Sequence, residues 1–411
     1  MLSGGVLKAL EKSKVRDFII KQNINIKAKT EEYELNSNGD NFILQLLNQL
    51  IYHKELDNRR VDEFLIDQLS YGKLTNTYIR VIDTHLITDD QNAIQRINKL
   101  ERYEYRNASQ VSNLYFCKDI RSNVEVGQKK LILSEIITDG KKVANIKLIL
   151  AEGIYLGDGN EDRGNNYYSI EIDLKNKVFI CKIRNWAGQA KNKYSPDKVN
   201  SEIEGIILRC FGLVFNTDSQ KFYNSVYSIV YELADIALKD TCNIVNDKIK
   251  DKVSKSVNEW WKDVLDGSLI LKQADRKIII ESILNNYYKY YIKKKYGKIT
   301  KKKMIELFDL YAYPRRVKFI DDTVGEGNAM SSDPEESLFD TAVFYDLKAR
   351  YDHSKIVQVT QIYWLKCPSE KCFGTTIYTN KQNLFKIIFL PHSYNKEMFE
   401  YVLHQIKRNF K

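Results

Sequence analysis

The sequence predicts an α+β, multidomain protein, and three observations carry that prediction. At 411 residues the chain has room for two or three domains of roughly 150 residues each. Apolar residues recur at helical spacing near the N-terminus and again beyond residue 199. The segments between and after these carry β-branched and aromatic runs separated by turn residues. With 43% hydrophobic and 29% charged residues the composition is globular, neither disordered nor fibrous. The patterns divide the chain into an N-terminal helical segment, 1–75, an antiparallel β-rich domain, 76–198, a helical domain with a basic surface, 199–312, and a C-terminal α+β domain, 313–411.

Element by element, Asp40 can cap a helix in which Phe42, Ile43, Leu46, Leu47, Leu50 and Ile51 form one apolar face. A second helix, 60–69, turns Val61, Phe64, Leu65 and Leu69 inward, and Gly72 suits its stop. Strands follow at 78–82, 131–133, 143–150 and 167–172, with Asp139-Gly140 as one turn. The clearest hairpin joins 168–173 to 177–183 around Asn176, so the region is expected to be an antiparallel sheet, closed or half-closed. Ser201 with Glu204 reads as a capping box for a helix over 202–211. Thr217 with Gln220 reads as another, ahead of Phe222, Val226, Ile229, Val230, Leu233 and Ile236. Helices are expected at 243–265 (stopping near Asp266-Gly267), 274–296 and 300–310. Beyond Pro314 come an extended segment 316–321, an acidic loop, strands at 341–350, 355–365, 375–378 and 384–390, and a closing helix, 396–408. No internal repeat of about 20–50 residues is present.

Several function classes lack their residues. No apolar run approaches the ~20 residues of a membrane span, so no membrane partner is expected. No secretory signal is visible, so a cytoplasmic location is expected. The six cysteines are scattered and expected to be reduced. Cys367 and Cys372 form a close pair without the further ligands zinc requires, and His353 and His392 stand singly. No histidine lies in a nucleophilic-triad pattern, and His85 and His404 read as element-end residues. Neither a P-loop nor a dinucleotide fingerprint occurs, and Gly325-Glu326-Gly327 sits among acids that repel phosphate. The run from Asp158 to Asp162 begins like a calcium loop, yet Arg163 and Ser169 stand where glycine and glutamate belong. Gly153-Ile154-Tyr155 matches only half of a GIY-YIG nuclease signature. The expectation is therefore no cofactor and no resident metal.

Charge is the informative feature. The net charge is +10 and the pI about 9.0, which suits a polyanion partner. From Lys289 to Lys318 eleven bases meet two acids, Glu306 and Asp309, and from Phe319 to Leu347 eight acids meet no base. A composition rich in Lys, Asn, Ile and Tyr matches AT-rich codons of a prokaryote or mobile element, which enriches lysine everywhere and weakens any argument from lysine content alone. Within the basic block, tyrosines interleave with lysines: Tyr287 and Tyr291 share a helical face with Lys294, and Lys289 and Lys293 lie on another. Phosphate neutralisation by lysine with base stacking on tyrosine is how polyanionic strands are held. The leading expectation is a nucleic-acid-binding protein, with genome defence as one setting. Its contacts would be Lys289, Lys293, Lys294, Lys295, Lys298, Lys301, Lys302, Lys303, Arg315, Arg316, Tyr287 and Tyr291, with Lys318 beside them.

A second reading is a nuclease dependent on Mg²⁺ or Mn²⁺. Asp346-Leu347-Lys348 within the expected strand 341–350 would set acid and lysine on one face, with Asp333 and Asp340 as upstream acids. This resembles the loose acid-x-lysine pattern of restriction-endonuclease-like nucleases. Asp173-Leu174-Lys175 repeats the spacing at a turn. The third reading is a non-catalytic adaptor or structural subunit with an operon-encoded protein partner. The acidic block, including Asp321, Asp322, Glu335 and Glu336, either solubilises a loop or folds back over the lysines as an internal competitor.

Overall fold

The structure is a computed structural model and describes residues 1–83, 87–106, 111–117, 119–156, 163–185, 194–216, 220–264, 273–320, 325–333, 336–354, 356–367, 372–379, 384–391 and 393–408. The expectations at His85, His392, the 158–162 loop, the Thr217 cap, the 266–267 stop, Asp321, Asp322 and Glu335 lie outside the described residues. So does the side chain of Phe222.

Helices α1 (Gly4–Ala9), α2 (Lys12–Lys21), α3 (Ile26–Glu32), α4 (Phe42–Tyr52) and α5 (Asn58–Ser70) open the chain. Strand β1 (Asn76–Asp83) and helix α6 (Asp90–Asn98) precede β2 (Tyr105–Arg106), β3 (Tyr115–Cys117), β4 (Lys129–Asp139), β5 (Lys142–Tyr155), β6 (Arg163–Asp173) and β7 (Val178–Ile183). Next come α7 (Pro196–Phe211), β8 (Val214–Phe215), α8 (Gln220–Val245), a π-helical turn over Asn246–Lys250, α9 (Asp251–Val264), α10 (Gln273–Tyr296) and α11 (Lys301–Phe308). The chain continues through β9 (Ala312–Ile320), β10 (Glu326–Met330), α12 (Ala342–Ser354), β11 (Ile356–Trp364), β12 (Phe373–Thr379) and β13 (Phe385–Phe389) to α13 (Lys396–Arg408). The fold is α+β, in two compact units: Met1–Thr217 with Lys386–Lys396, and Asp218–Phe385 with Glu397–Lys411.

In the first unit the strands lie in the order β13-β1-β7-β6-β5-β4-β2, with β3 beside β4 and β8 beside β1. Consecutive strands from β4 to β7 pair antiparallel, β4 with β5 and β6 with β7 through tight turns, and Gly140, at φ +64°, makes the β4–β5 turn that disfavours a side chain. The β6–β7 hairpin pairs Asp173 with Val178, around Asn176 as expected. Among the described residues the row is open, not closed into a barrel. One face is covered by α1–α5, whose Val6, Leu46, Leu50, Val61 and Leu65 are fully buried against Ile149, Ala151 and Tyr167. Because β6 and β7 are buried at nearly every position, both sheet faces are covered, which explains the nearly continuous apolar run of β7, Val178–Ile183.

Two helix starts differ from expectation. Asn41, not Asp40, precedes α4, and its side chain makes no cap hydrogen bond. Helix α7 begins six residues earlier than its sequence cap suggests: Ser195 accepts from the Lys198 N–H and Pro196 occupies the first turn. Ser201 therefore lies inside the helix, its hydroxyl donating to the Asp197 carbonyl, and Glu204 faces Arg80.

The second unit packs helices on an antiparallel sheet of order β10-β9-β11-β12. Helix α8 lies on β9 and β11, and α10 lies against α8, α9 and α12. Trp364 is fully buried and donates from its indole to Thr375 Oγ1 at 2.9 Å. The segment expected as a strand over 341–350 is instead helix α12. Its local sequence, Thr-Ala-Val-Phe-Tyr, has strong strand propensity, but Phe344, Tyr345, Ala349 and Tyr351 fall on one side of a helix and are all buried. Thr341 Oγ1 accepts from the Phe344 N–H at 3.3 Å and caps its start. Burial of a helical face outweighs propensity here.

Candidate functional site

Helix α10 buries Leu284, Asn285, Tyr288 and Ile292 at three- and four-residue spacing, so its opposite side faces solvent. That side carries Tyr287, Tyr290, Lys293 and Lys294. Tyr287 is 44% exposed and Tyr290 67%. Lys289, Lys293 and Lys294 make no ion pair among the described residues. Gly297, at φ +61°, ends the helix in the left-handed conformation that glycine tolerates.

The remaining basic residues are partly occupied. Lys295 lies over the rings of Tyr291 and Tyr296, at 5.8 and 4.9 Å, and its hydrogen bond to the Tyr296 phenol raises its pKa. Lys303 donates to the carbonyls of Tyr296 (2.6 Å) and Lys298 (2.9 Å), capping the C-terminal end of α10. Lys298 pairs with Glu336 and lies 3.8 Å from Asp333, and Glu336 holds its pKa above the ordinary lysine value. Lys301 stands over the Tyr363 ring at 5.1 Å, and Lys302 lies 3.8 Å from Glu306. On β9, Arg316 donates to Asn328 Oδ1 at 3.1 Å and Lys318 pairs with Glu326 at 2.8 Å. Arg315 is half-buried, and its Nε has no hydrogen-bond partner among the described residues. The solvent strip is thus a subset of the basic block.

Tyr290 belongs to the interleaved Lys/Tyr run but is not among the contacts expected from sequence, because the faces of α10 can be grouped from spacing but not assigned inward or outward. The missing information is tertiary. Its separation of three residues from both Tyr287 and Lys293 is the periodicity that marks the strip once the buried face is known.

The acid-x-lysine premise does not survive the change from strand to helix. Residues two apart on a helix differ by about 200° in direction. Asp346 is exposed, whereas Lys348 turns to the protein side and pairs with Asp352 one turn later. Asp340 accepts from the Ile299 N–H at 3.4 Å and burial raises its pKa, while Asp333 faces Lys298. Asp173 holds its own turn, accepting from Asn176 N–H and Nδ2 at 2.9 and 2.7 Å, and Lys175 pairs with Asp139. At Gly153 a Cβ would lie 2.1 Å from the Glu125 carbonyl oxygen, so the residue permits a close backbone approach. Among the described residues no three His, Cys, Asp or Glu side chains gather as a metal site, and no helix is long and apolar enough to cross a membrane. The six cysteines are unbridged.

No protein-family model matches the chain, and no curated protein matches its sequence.

Proposed function

We propose that the protein binds nucleic acid in the cytoplasm through the outer face of α10 and the adjoining α11. The observation that carries this reading is the exposure of Tyr287 and Tyr290 beside Lys293 and Lys294, lysines that pair with no acid among the described residues. Exposed rings supply stacking surface for unpaired bases, and free ammonium groups neutralise phosphates and release counterions. Lys289 extends the charge along α10. Lys295, Lys298, Lys301, Lys302 and Lys303 already have partners and contribute less. The contact is sequence-tolerant in character, because rings and ammonium groups carry no base-edge code.

The test is a salt-dependent titration against single-stranded and duplex DNA and RNA. Changing Lys293 and Lys294 to Gln should lower the slope of log affinity against log salt by about 2, about 1 for each lost phosphate contact. Tyr290→Ala should weaken single-strand binding by about 1–3 kcal/mol and duplex binding far less. Binding unchanged in a folded triple variant refutes the surface.

A further inference from the structure

Within the second unit, α8, the π-turn, α9, α10 and α12 enclose a cavity of about 650 Å³. That volume is within the range of small-molecule sites. Its floor is polar. Tyr288, buried, donates its hydroxyl to Asn246 Oδ1 at 3.0 Å. Asn285, only 3% exposed, lines the cavity beside it. Asp352 pairs with Lys348 through one carboxylate oxygen, while its other oxygen, Oδ1, is buried without a hydrogen-bond partner. Buried carboxylates in proteins are ordinarily satisfied, so the idle oxygen of Asp352 beside a cavity indicates a ligand or solvent that completes it.

The mouth differs in character from the floor. Arg276 and Lys250 line it, are exposed and make no ion pair among the described residues. The two acids of the lining are each offset, Glu281 by Lys277 at 3.8 Å and Asp352 by Lys348, which leaves the mouth cationic. The π-turn sets both Asn246 and Lys250 on the wall, and such turns, costlier than regular helix, concentrate at functional sites. A cationic mouth above an amide-bearing floor fits an anion joined to a planar group with hydrogen-bonding edges. A carboxamide presents a donor and an acceptor side by side, the complement of a base edge.

We propose that this cavity binds a mononucleotide, its phosphate at Arg276 and Lys250 and its base at Asn285. The site is separate from the outer strip of α10 and does not depend on it. Calorimetric titration of the full chain with AMP, GMP, CMP, UMP and inorganic phosphate tests the assignment. At least one mononucleotide should bind with Kd below about 1 mM, and inorganic phosphate at least tenfold more weakly. Arg276→Gln, at an exposed position, should weaken binding at least tenfold, and Asn285→Leu should do the same where its circular dichroism matches wild type. Tyr290→Ala should leave the affinity unchanged. The proposal is overturned if no mononucleotide binds at about 5 mM, if phosphate alone binds equally well, if Arg276→Gln has no effect, or if Tyr290→Ala abolishes binding.

Discussion

Arg80 and Glu204 meet in a forked pair, Nε to Oε1 at 3.1 Å and Nη2 to Oε2 at 3.0 Å, with both side chains largely buried. The guanidinium stacks over Phe215 at 4.7 Å, and Asn200 donates to the same carboxylate at 2.7 Å. Two desolvated charges held this closely stabilise little as a pair, yet removing one strands the other. Glu204→Leu should therefore destabilise the first unit by about 3 kcal/mol, and adding Arg80→Met should recover at least half of that loss. Native-state hydrogen exchange at β1 and α7 amides reads this without assuming that both units unfold together. Lys73 makes a pH prediction. Burial, with Arg184 adding to it, lowers its pKa to about 8, and its ammonium donates to the Lys8 carbonyl at 3.2 Å. A lysine whose pKa is lower in the folded than in the unfolded chain opposes folding while charged in both states. That cost is complete below pH 8 and fades as pH climbs towards the ordinary lysine value. Lys73→Met should thus stabilise the protein relative to wild type at pH 7, with the advantage shrinking by pH 9.5 in thermal unfolding scans. An advantage independent of pH would show that packing, not charge, is responsible.

Helix boundaries show which residues act as caps and which only resemble them. Asp57 accepts from the Arg60 N–H at 2.9 Å ahead of α5, so Asp57→Ala should cost about 1 kcal/mol. Ser201, inside α7 and exposed, should tolerate alanine within about 0.5 kcal/mol, since it caps nothing. A loss at Ser201 comparable to that at Asp57 would restore it as the helix start. The two sites also show where sequence is legible. Helix α13 occupies the very span its periodicity marks, and the β6–β7 hairpin turns around Asn176 as expected, because amphipathic period and turn chemistry are local properties. Helix α12 was misread because Val343, Phe344 and Tyr345 favour a strand locally, and only packing of Phe344, Tyr345 and Tyr351 beneath the helix reverses that. At the candidate surface, charge density was legible but availability was not. Lys298 is occupied by Glu336 and Lys301 by the ring of Tyr363, partners distant in sequence. The cavity was invisible for the same reason, its lining being assembled from four helices and a π-turn.

At the scale of the whole charge distribution, a strongly basic segment is followed at once by a strongly acidic one, and the structure shows where some of that acid goes. Glu336 and Asp333 face Lys298, and Glu326 faces Lys318, whereas Lys293 and Lys294 have no acidic partner among the described residues. The described acids therefore engage the edges of the basic block and leave the α10 strip open. An internal competitor acting on the proposed surface would work through Lys298, which is 60% exposed despite its two acids. Such an exposed pair adds little to stability, so Asp333→Asn with Glu336→Gln should leave the fold intact. Freed of its acids, Lys298 becomes available to one phosphate. The salt slope for duplex binding should then steepen by about 1, and the affinity should rise most at low salt, where screening is weakest. Neutralising two acids of the first unit, Asp17→Asn with Glu31→Gln, changes the net charge equally without touching Lys298 and should leave the slope unchanged. If both double variants tighten binding alike, the effect is one of overall charge and the Lys298 contacts serve only to hold the loop.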